Sequence, residues 1–401
     1  MDGIKQKIKF GIAMVRNLIY PARFKIIYHD WLLIKPKRDD YQTNTKYIDA
    51  AINWLCRAQD ATGDGGVATY FFDKGWSTSY PEVTGYIIPT FFDYYHLTSH
   101  EEIRNRAIKM ADFEVSIQME NGAFQGGYIG RGAKPTVFNT AQILQGLTRA
   151  YKETNDLKYY NAAKKSADWI CAVQDDDGAW RQYVYLDIVR GYDTRVDLPL
   201  LEFYQINQED KYRQAARKNI EWALTLQQEN GWFKDCDNSP KRNFEPLTHT
   251  IGYTIEGLLE SGILLNEQRY IEKATISADA LLKRFEIDKS LKGRYNSDWK
   301  PTVTSCCLTG CAQMSIIWMR LFEKTKDFKY LNASLKMNDF LISTQVLNSS
   351  DKGIQGGIKG SHPIWGDYRI FSYPSWATKY FVDALILEDR IIKQLKEEIL
   401  K

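Results

Sequence analysis

The chain has 401 residues, 44% hydrophobic and 26% charged, with a formal net charge of +3. That make-up excludes a largely disordered chain. A near-neutral balance, with no Lys/Arg-rich block among aromatics in the body of the chain, argues against nucleic-acid binding.

The first 25 residues carry Lys5, Lys7, Lys9, Arg16, Arg23 and Lys25 against Asp2 alone, with Ile4, Ile8, Ile12, Val15, Leu18 and Ile19 at helical spacing. Residues 1–40 are therefore expected to form a basic amphipathic segment. It either packs across the rest of the chain with its lysines solvated or contacts an anionic membrane through residues 1–25. It has no unbroken apolar stretch long enough for a signal peptide or a span. The expected location is the cytoplasm, with the inner face of the membrane in reach.

From residue 41 to residue 401 one pattern recurs. Gln59, Gln118, Gln174, Gln227 and Gln345 each close an amphipathic helical stretch, at intervals of 53–59 residues and a last interval of about two repeats. The missing member falls near Arg284, in ADALLKRFEIDKS, where the helical pattern continues without the Gln. Each stretch, for example LKYYNAAKKSADWICAVQ, sets Lys and Arg on one face and apolar residues at i, i+3 and i+4. A Gly-containing loop follows, as in QDDDGAW, then a helix that is apolar nearly all round, as in TVFNTAQILQGLTRAYKET. Six such hairpins, polar outside and apolar inside, predict an all-α fold: an (α/α)6 toroid forming one domain over 41–401. The Gln side chain is expected to bond loop backbone groups just past its helix end.

Trp169, Gln174, Gly178 and Trp180 stand at the spacing of the glutamine–tryptophan repeat of squalene and hopene cyclases. That resemblance covers outer helices and loops only. The cyclases' Asp-x-Asp-Asp motif does not occur, and Asp175, Asp176 and Asp177 lie in an outer-to-inner loop. KDCD at 234–237 does not reproduce the zinc set of protein prenyltransferases, and the Cys-His-Gly signature of lanthionine cyclases is missing. The chain also resembles the six-hairpin glycosidases and their polysaccharide-lyase relatives, which implies chemistry at the mouth ringed by the inner-helix N-termini. SYPEVTGYIIPTF is similar to the Ser-Glu-Gly…Gly-Tyr segment of glycoside hydrolase family eight, with Glu82 four residues before Tyr86. The resemblance implies that Glu82 is the general acid. A carboxylate at that place also complements the helix dipole.

The third inner stretch opens GYDTRVDLP, where Asp193 and Asp197 at i and i+4 share a face and Arg195 points elsewhere. An inverting glycosidase needs an acid and a second carboxylate that activates water, so Glu82 with Asp193 or Asp197 supplies a pair. The fourth begins LTHTIGYTIEG, and His249, Tyr253 and Glu256 form one stripe. A His–Tyr pair suits proton removal and return at a uronate C5, with Asn139 and Arg195 as candidates to neutralise the sugar carboxylate. Alginate-type lyases carry similar residue types. SYPEVTGY and SYPSWATKY both lead into inner helices, each after a Gly-Gly pair and a Trp. Trp76, Tyr80, Trp365, Tyr373 and Trp376 are thus candidate stacking platforms for pyranose rings.

The six Cys form no C-x-x-C pair and have no nearby His, so reduced thiols are expected rather than a zinc site. No metal or organic cofactor is implied. The expected partner is an oligosaccharide or polysaccharide, with no nucleic acid. Hydrolysis is the first expectation, and uronate lyase or C5-epimerase chemistry the second. A non-catalytic toroid binding a polyprenyl-linked glycan or a partner protein is the third.

Overall fold

The computed structural model describes residues 44–400 together with Gly11, Ile12, Val15, Arg23, Ile26, Ile27 and Asp30. The helix expected over residues 1–25 lies largely outside the described residues. Among them, the outer helices are α1 (Thr45–Asp60), α3 (Glu101–Ile117), α5 (Leu157–Ala172), α7 (Asp210–Leu224), α9 (Gln268–Asp288) and α11 (Phe328–Ile342). The inner helices are α2 (Pro81–Thr98), α4 (Val137–Thr154), α6 (Thr194–Asn207), α8 (Thr248–Leu265), α10 (Leu308–Thr325) and α12 (Ser375–Ile399). Each inner helix packs on its two inner neighbours, and α12 closes the ring on α2.

Patterning explains the layers. In α5 the buried residues Tyr159, Ala162, Ala163, Ser166, Ala167, Trp169 and Ile170 form one stripe, so that helix stays outside. In α8 every residue from Thr248 to Ile255 is buried, which requires neighbours on all sides. Gly85 of α2 and Gly146 of α4 let those two inner helices touch, because a Cβ on Gly146 would collide with the Gly85 carbonyl.

The two ends of the toroid differ. The inner-to-outer turns are Ser99–His100, Asn155–Asp156, Gln208–Glu209, Asn266–Glu267 and Lys326–Asp327, and the first residue of each is left-handed. Such tight turns leave no room for a cleft. The outer-to-inner loops are long, so every inner-helix N-terminus opens on the loop-rich end. There β1 (Tyr70–Phe71) pairs with β2 (Gly75–Trp76) and with β5 (Ser372–Tyr373), joining the first hairpin to the last. The strands β3 (Cys306–Cys307) and β4 (Ser361–His362) pair beside them. Thr84, Thr140 and Thr378, in the first turns of α2, α4 and α12, accept loop N–H groups from Val67, Phe124 and Ile358.

The recurrent glutamine does more than cap its own loop. Gln118 Nε2 donates to the Gly122 carbonyl at 3.1 Å and to the Ala162 carbonyl of α5 at 2.8 Å. Gln174 repeats this with Gly178 and with Ala215 of α7, both at 2.9 Å. Each therefore clasps one hairpin to the next. In the fifth unit Arg284 bonds Asp288 of its own helix instead.

Of the described N-terminal residues, Gly11, Ile12 and Val15 are exposed, while Arg23 and Asp30 bond the mouth loops. Ile26 and Ile27 are buried, Arg23 pairs with Asp73 and lies 4.8 Å from the Phe371 ring centroid, and Asp30 pairs with Lys359. No helix among the described residues is long and apolar enough to cross a membrane.

Candidate active site

The mouth begins with Glu82. Pro81 opens α2, where the missing proline N–H costs nothing, and this sets Glu82 in the first turn. Its carboxylate accepts the Tyr80 O–H at 2.9 Å. Burial pushes its pKa up to about 7, against the Tyr80 bond and the Arg369 charge, which both favour the ionised form.

Asp193 ends a tight turn (Gly191–Asp193) just ahead of α6 and is 2% exposed, with Oδ2 lacking a hydrogen-bond partner. Burial pushes it also up to about 7, opposed by the nearby Arg190 guanidinium. Tyr192 feels the charge of both carboxyl groups. Burial raises its phenol pKa, Asp193 and Glu82 raise it further, and Arg190 opposes them. Two carboxyls, one in the first turn of α2 and one just before α6, thus share a low-dielectric mouth with pKa values near neutrality. Such a pair holds a proton donor and a proton acceptor at the same pH.

Facing them is the start of α8. His249 Nδ1 lies 2.7 Å from Gln313 Oε1, and with that acceptor Nδ1 carries the proton. Burial brings the imidazole down to about 4, with Arg369 adding to the effect and the Gln313 bond opposing it. It is neutral at pH 7, with Nε2 as an acceptor. The His249 and Tyr253 rings are 4.4 Å apart, and Tyr253 stays protonated because burial and its neighbouring phenols raise it. Asn139, at the start of α4, is 6% exposed and its Nδ2 has no partner. Unpaired buried polar atoms at the start of α4 and just before α6 mark the place where a polar ligand would satisfy them.

Among the described residues no group of three or more His, Cys, Asp or Glu could hold a metal ion. A groove of about 510 Å³ lies between α1 and α3, lined by Asp49, Asp60, Tyr94 and Arg106, away from this mouth. Tyr94 sits near the far end of α2, so that groove is not part of the site.

A family model described as pectic acid lyase matches residues 129–198, from the loop before α4 to the first turns of α6. A comparison with curated proteins found no match. Solved structures match over most of the chain. An unsaturated glucuronyl hydrolase specific for heparin superposes with a TM-score of 0.69 at 16% identity, over 87% of this chain and 97% of that one. Cellobiose 2-epimerase from Bacillus thermoamylovorans gives 0.68 at 14% identity, over 85% and 97%. A glycosyl hydrolase family 88 protein from Bacteroides vulgatus gives 0.63 at 12% identity, over 87% and 99%. The protein has their toroid fold.

Within that fold, Glu82, Asp193, His249, Tyr253, Asn139, Tyr80 and Trp376 gather at one mouth. Tyr80 lies 6.0 Å from Trp376, edge to face. Tyr86 is one turn lower, 1% exposed and 6.1 Å from Tyr380, so it forms floor rather than wall. Trp365 is half-buried in the loop between β4 and β5.

Four expectations need correction. Arg195 is 1% exposed at the ring's centre, 3.4 Å from Glu256 and bonded to Gln145 at 2.9 Å. It ties inner helices together below the mouth instead of waiting for a substrate carboxylate. Asp197 lies on the same face as Asp193 but one turn deeper in α6, fully buried with neither oxygen hydrogen-bonded, so Asp193 and not Asp197 stands at the level of the mouth. Trp76 and Tyr373 belong to another stack. Both pair across Tyr70 and so share its face of the sheet. Trp76 packs 5.2 Å from Trp54 of α1, on the outer layer.

Several mouth residues were not evident beforehand. Arg369 is the cation whose charge acts on both Glu82 and His249, and its guanidinium lies 4.7 Å from the Trp376 ring centroid. Tyr128 stacks 4.7 Å from Tyr80, and Tyr368 accepts the Trp376 indole N–H at 2.9 Å. All three come from loops, where periodicity says nothing. The one available signal was position: Tyr368 and Arg369 stand four and three residues before the SYPSW echo.

Proposed function

We propose that the protein is a glycoside hydrolase acting on an oligosaccharide that carries a uronic acid. Glu82 donates the proton to the leaving oxygen, and Asp193 activates water. The observation that carries this reading is the pair of buried carboxyls, on α2 and just before α6, each pushed up to about 7 and both acting on the Tyr192 phenol. Arg369 supplies the cation for a sugar carboxylate beside them, and Tyr80 and Trp376 supply aromatic surface. The unsaturated glucuronyl hydrolases of the same fold support the substrate class. The test is incubation with unsaturated uronosyl disaccharides cut from glycosaminoglycans and from pectic acid. Release of the neutral or amino sugar with loss of the ultraviolet absorbance is expected. Intact disaccharide with every substrate would reject the reading.

A second reading rests on the 4.4 Å His249–Tyr253 pair. A neutral imidazole acceptor beside a protonated phenol suits removal of a C5 proton and its return. Lyase activity would create ultraviolet absorbance in a saturated uronan. Epimerase activity would exchange the C5 hydrogen in deuterium oxide without cleavage.

A further inference from the structure

Arg369 sits on the loop between β4 and β5, in a left-handed conformation with φ 49°. A residue in that conformation keeps its direction only if the loop around it is held. The loop is held on one side by Asp367, which accepts from Arg242 at 2.8 Å and also pairs with Arg294. On the other side the partner comes from the far end of the sequence. Asp30 forms an ion pair with Lys359 in which both side chains are buried, 5% and 3% exposed. Its second oxygen accepts the Ile364 N–H at 3.0 Å. Arg23 adds the Asp73 ion pair and the stack on Phe371.

We infer that Asp30 is a positioning residue: it holds the loop from Ser361 to Tyr373 so that the Arg369 guanidinium faces Glu82 and the substrate. Arg23 and Asp30 are then part of the site wall. The substrate half of this inference rests on the hydrolase reading; the Glu82 half does not.

The sign of one titration separates this role from the alternatives. Tyr80, Tyr86, Tyr192, Tyr253 and Arg369 are the titratable groups that face Glu82 from the elements around it, and of these Arg369 alone is a cation. Removing the Asp30 charge by itself would lower the Glu82 pKa, since an anion is lost. Letting Arg369 move away would raise it.

The experiment follows the Glu82 carboxyl by ¹³C NMR in the full chain labelled at glutamate, with the resonance assigned by Glu82→Gln. Asp30→Asn keeps an oxygen for Ile364 N–H while losing the charge opposite Lys359. It is expected to move the Glu82 midpoint up by about half a pH unit or more. In an Arg369→Gln background the same change should add nothing, because the two act through one group. Lys359→Met, which breaks the pair from the toroid side, loses a cation and raises Glu82 by that alone, so its upward shift should shrink in the Arg369→Gln background. With an active substrate, KM should rise about tenfold with a smaller change in kcat. A Glu82 midpoint that falls or stays still in Asp30→Asn, or a Lys359→Met shift that does not shrink in the Arg369→Gln background, would overturn the inference, even if both variants melt earlier. Absence of hydrolysis alone would reject the function above and leave this titration to decide Asp30.

Discussion

Gln345, at the end of the last outer helix, donates to the Tyr47 carbonyl of the first outer helix at 3.0 Å while holding its own loop through Gly356 at 2.8 Å. The clasp that links each hairpin to the next therefore also closes the circle. Gln345→Leu leaves two carbonyls without their donor and should cost about 1–3 kcal/mol. Urea unfolding of variant and parent checks this, and an unchanged midpoint would show that ring closure does not depend on the clasp.

The carboxyl pair makes a prediction about pH and about leaving groups. With both groups at about 7, the acid must stay protonated and the base ionised, so kcat/KM should peak near neutrality and fall on both sides. Glu82→Gln and Asp193→Asn should each lower kcat by about 10²-fold or more on natural glycans. An aryl glycoside with a good leaving group needs no protonation, so Glu82→Gln should recover on it and Asp193→Asn should not. The opposite recovery would exchange the two roles.

Glu114 is a carboxyl in the wrong company. It stands four residues before Gln118, where the other units with a Gln carry Leu55, Ile170, Ala223 and Leu341 in the core. It is fully buried, neither oxygen has a hydrogen-bond partner, and burial raises its pKa well above the ordinary value, with Asp64 adding to the rise. Below the unfolded-state pKa of about 4.3 both states are protonated and the group costs little. As pH rises past that value the unfolded chain ionises while the folded one does not, so stability is lost with rising pH. Glu114→Gln should remove this slope, and the variant's advantage over the parent should grow from pH 4 to pH 7, read by denaturant midpoints. Parallel curves would contradict it.

Trp376 and Trp76 should separate in their effects, although both follow a Gly-Gly loop. Trp376→Ala should raise KM, because that ring stands at the mouth beside Tyr80 and Arg369. Trp76→Ala should leave KM alone and cost about 2–4 kcal/mol of stability through lost packing on Trp54 and Tyr70. Isothermal titration with a uronosyl oligosaccharide, paired with thermal melts, distinguishes the two.

The amino-acid sequence by itself determined the layers and the count of hairpins. Helical periodicity and a glutamine at a fixed step are local properties, and a buried face of given width needs a partner wherever it lies. It also placed Glu82, Asp193, His249 and Tyr253 together, since each stands at the start of an inner helix and all those starts open at one end. What it could not decide was direction. Arg195 stands two residues from both Asp193 and Asp197, and only the packing of α6 against α4 and α8 shows that it meets Gln145 and Glu256. Tyr80 and Tyr373 occupy matching places in an echoed sequence, yet strand pairing with Tyr70 turns Tyr373 into the sheet while Tyr80 meets Glu82. Arg369 was silent for the same reason. Its loop has no periodicity, and its direction is set by Asp30, Arg242 and Arg294, partners whose proximity exists only once the ring has closed.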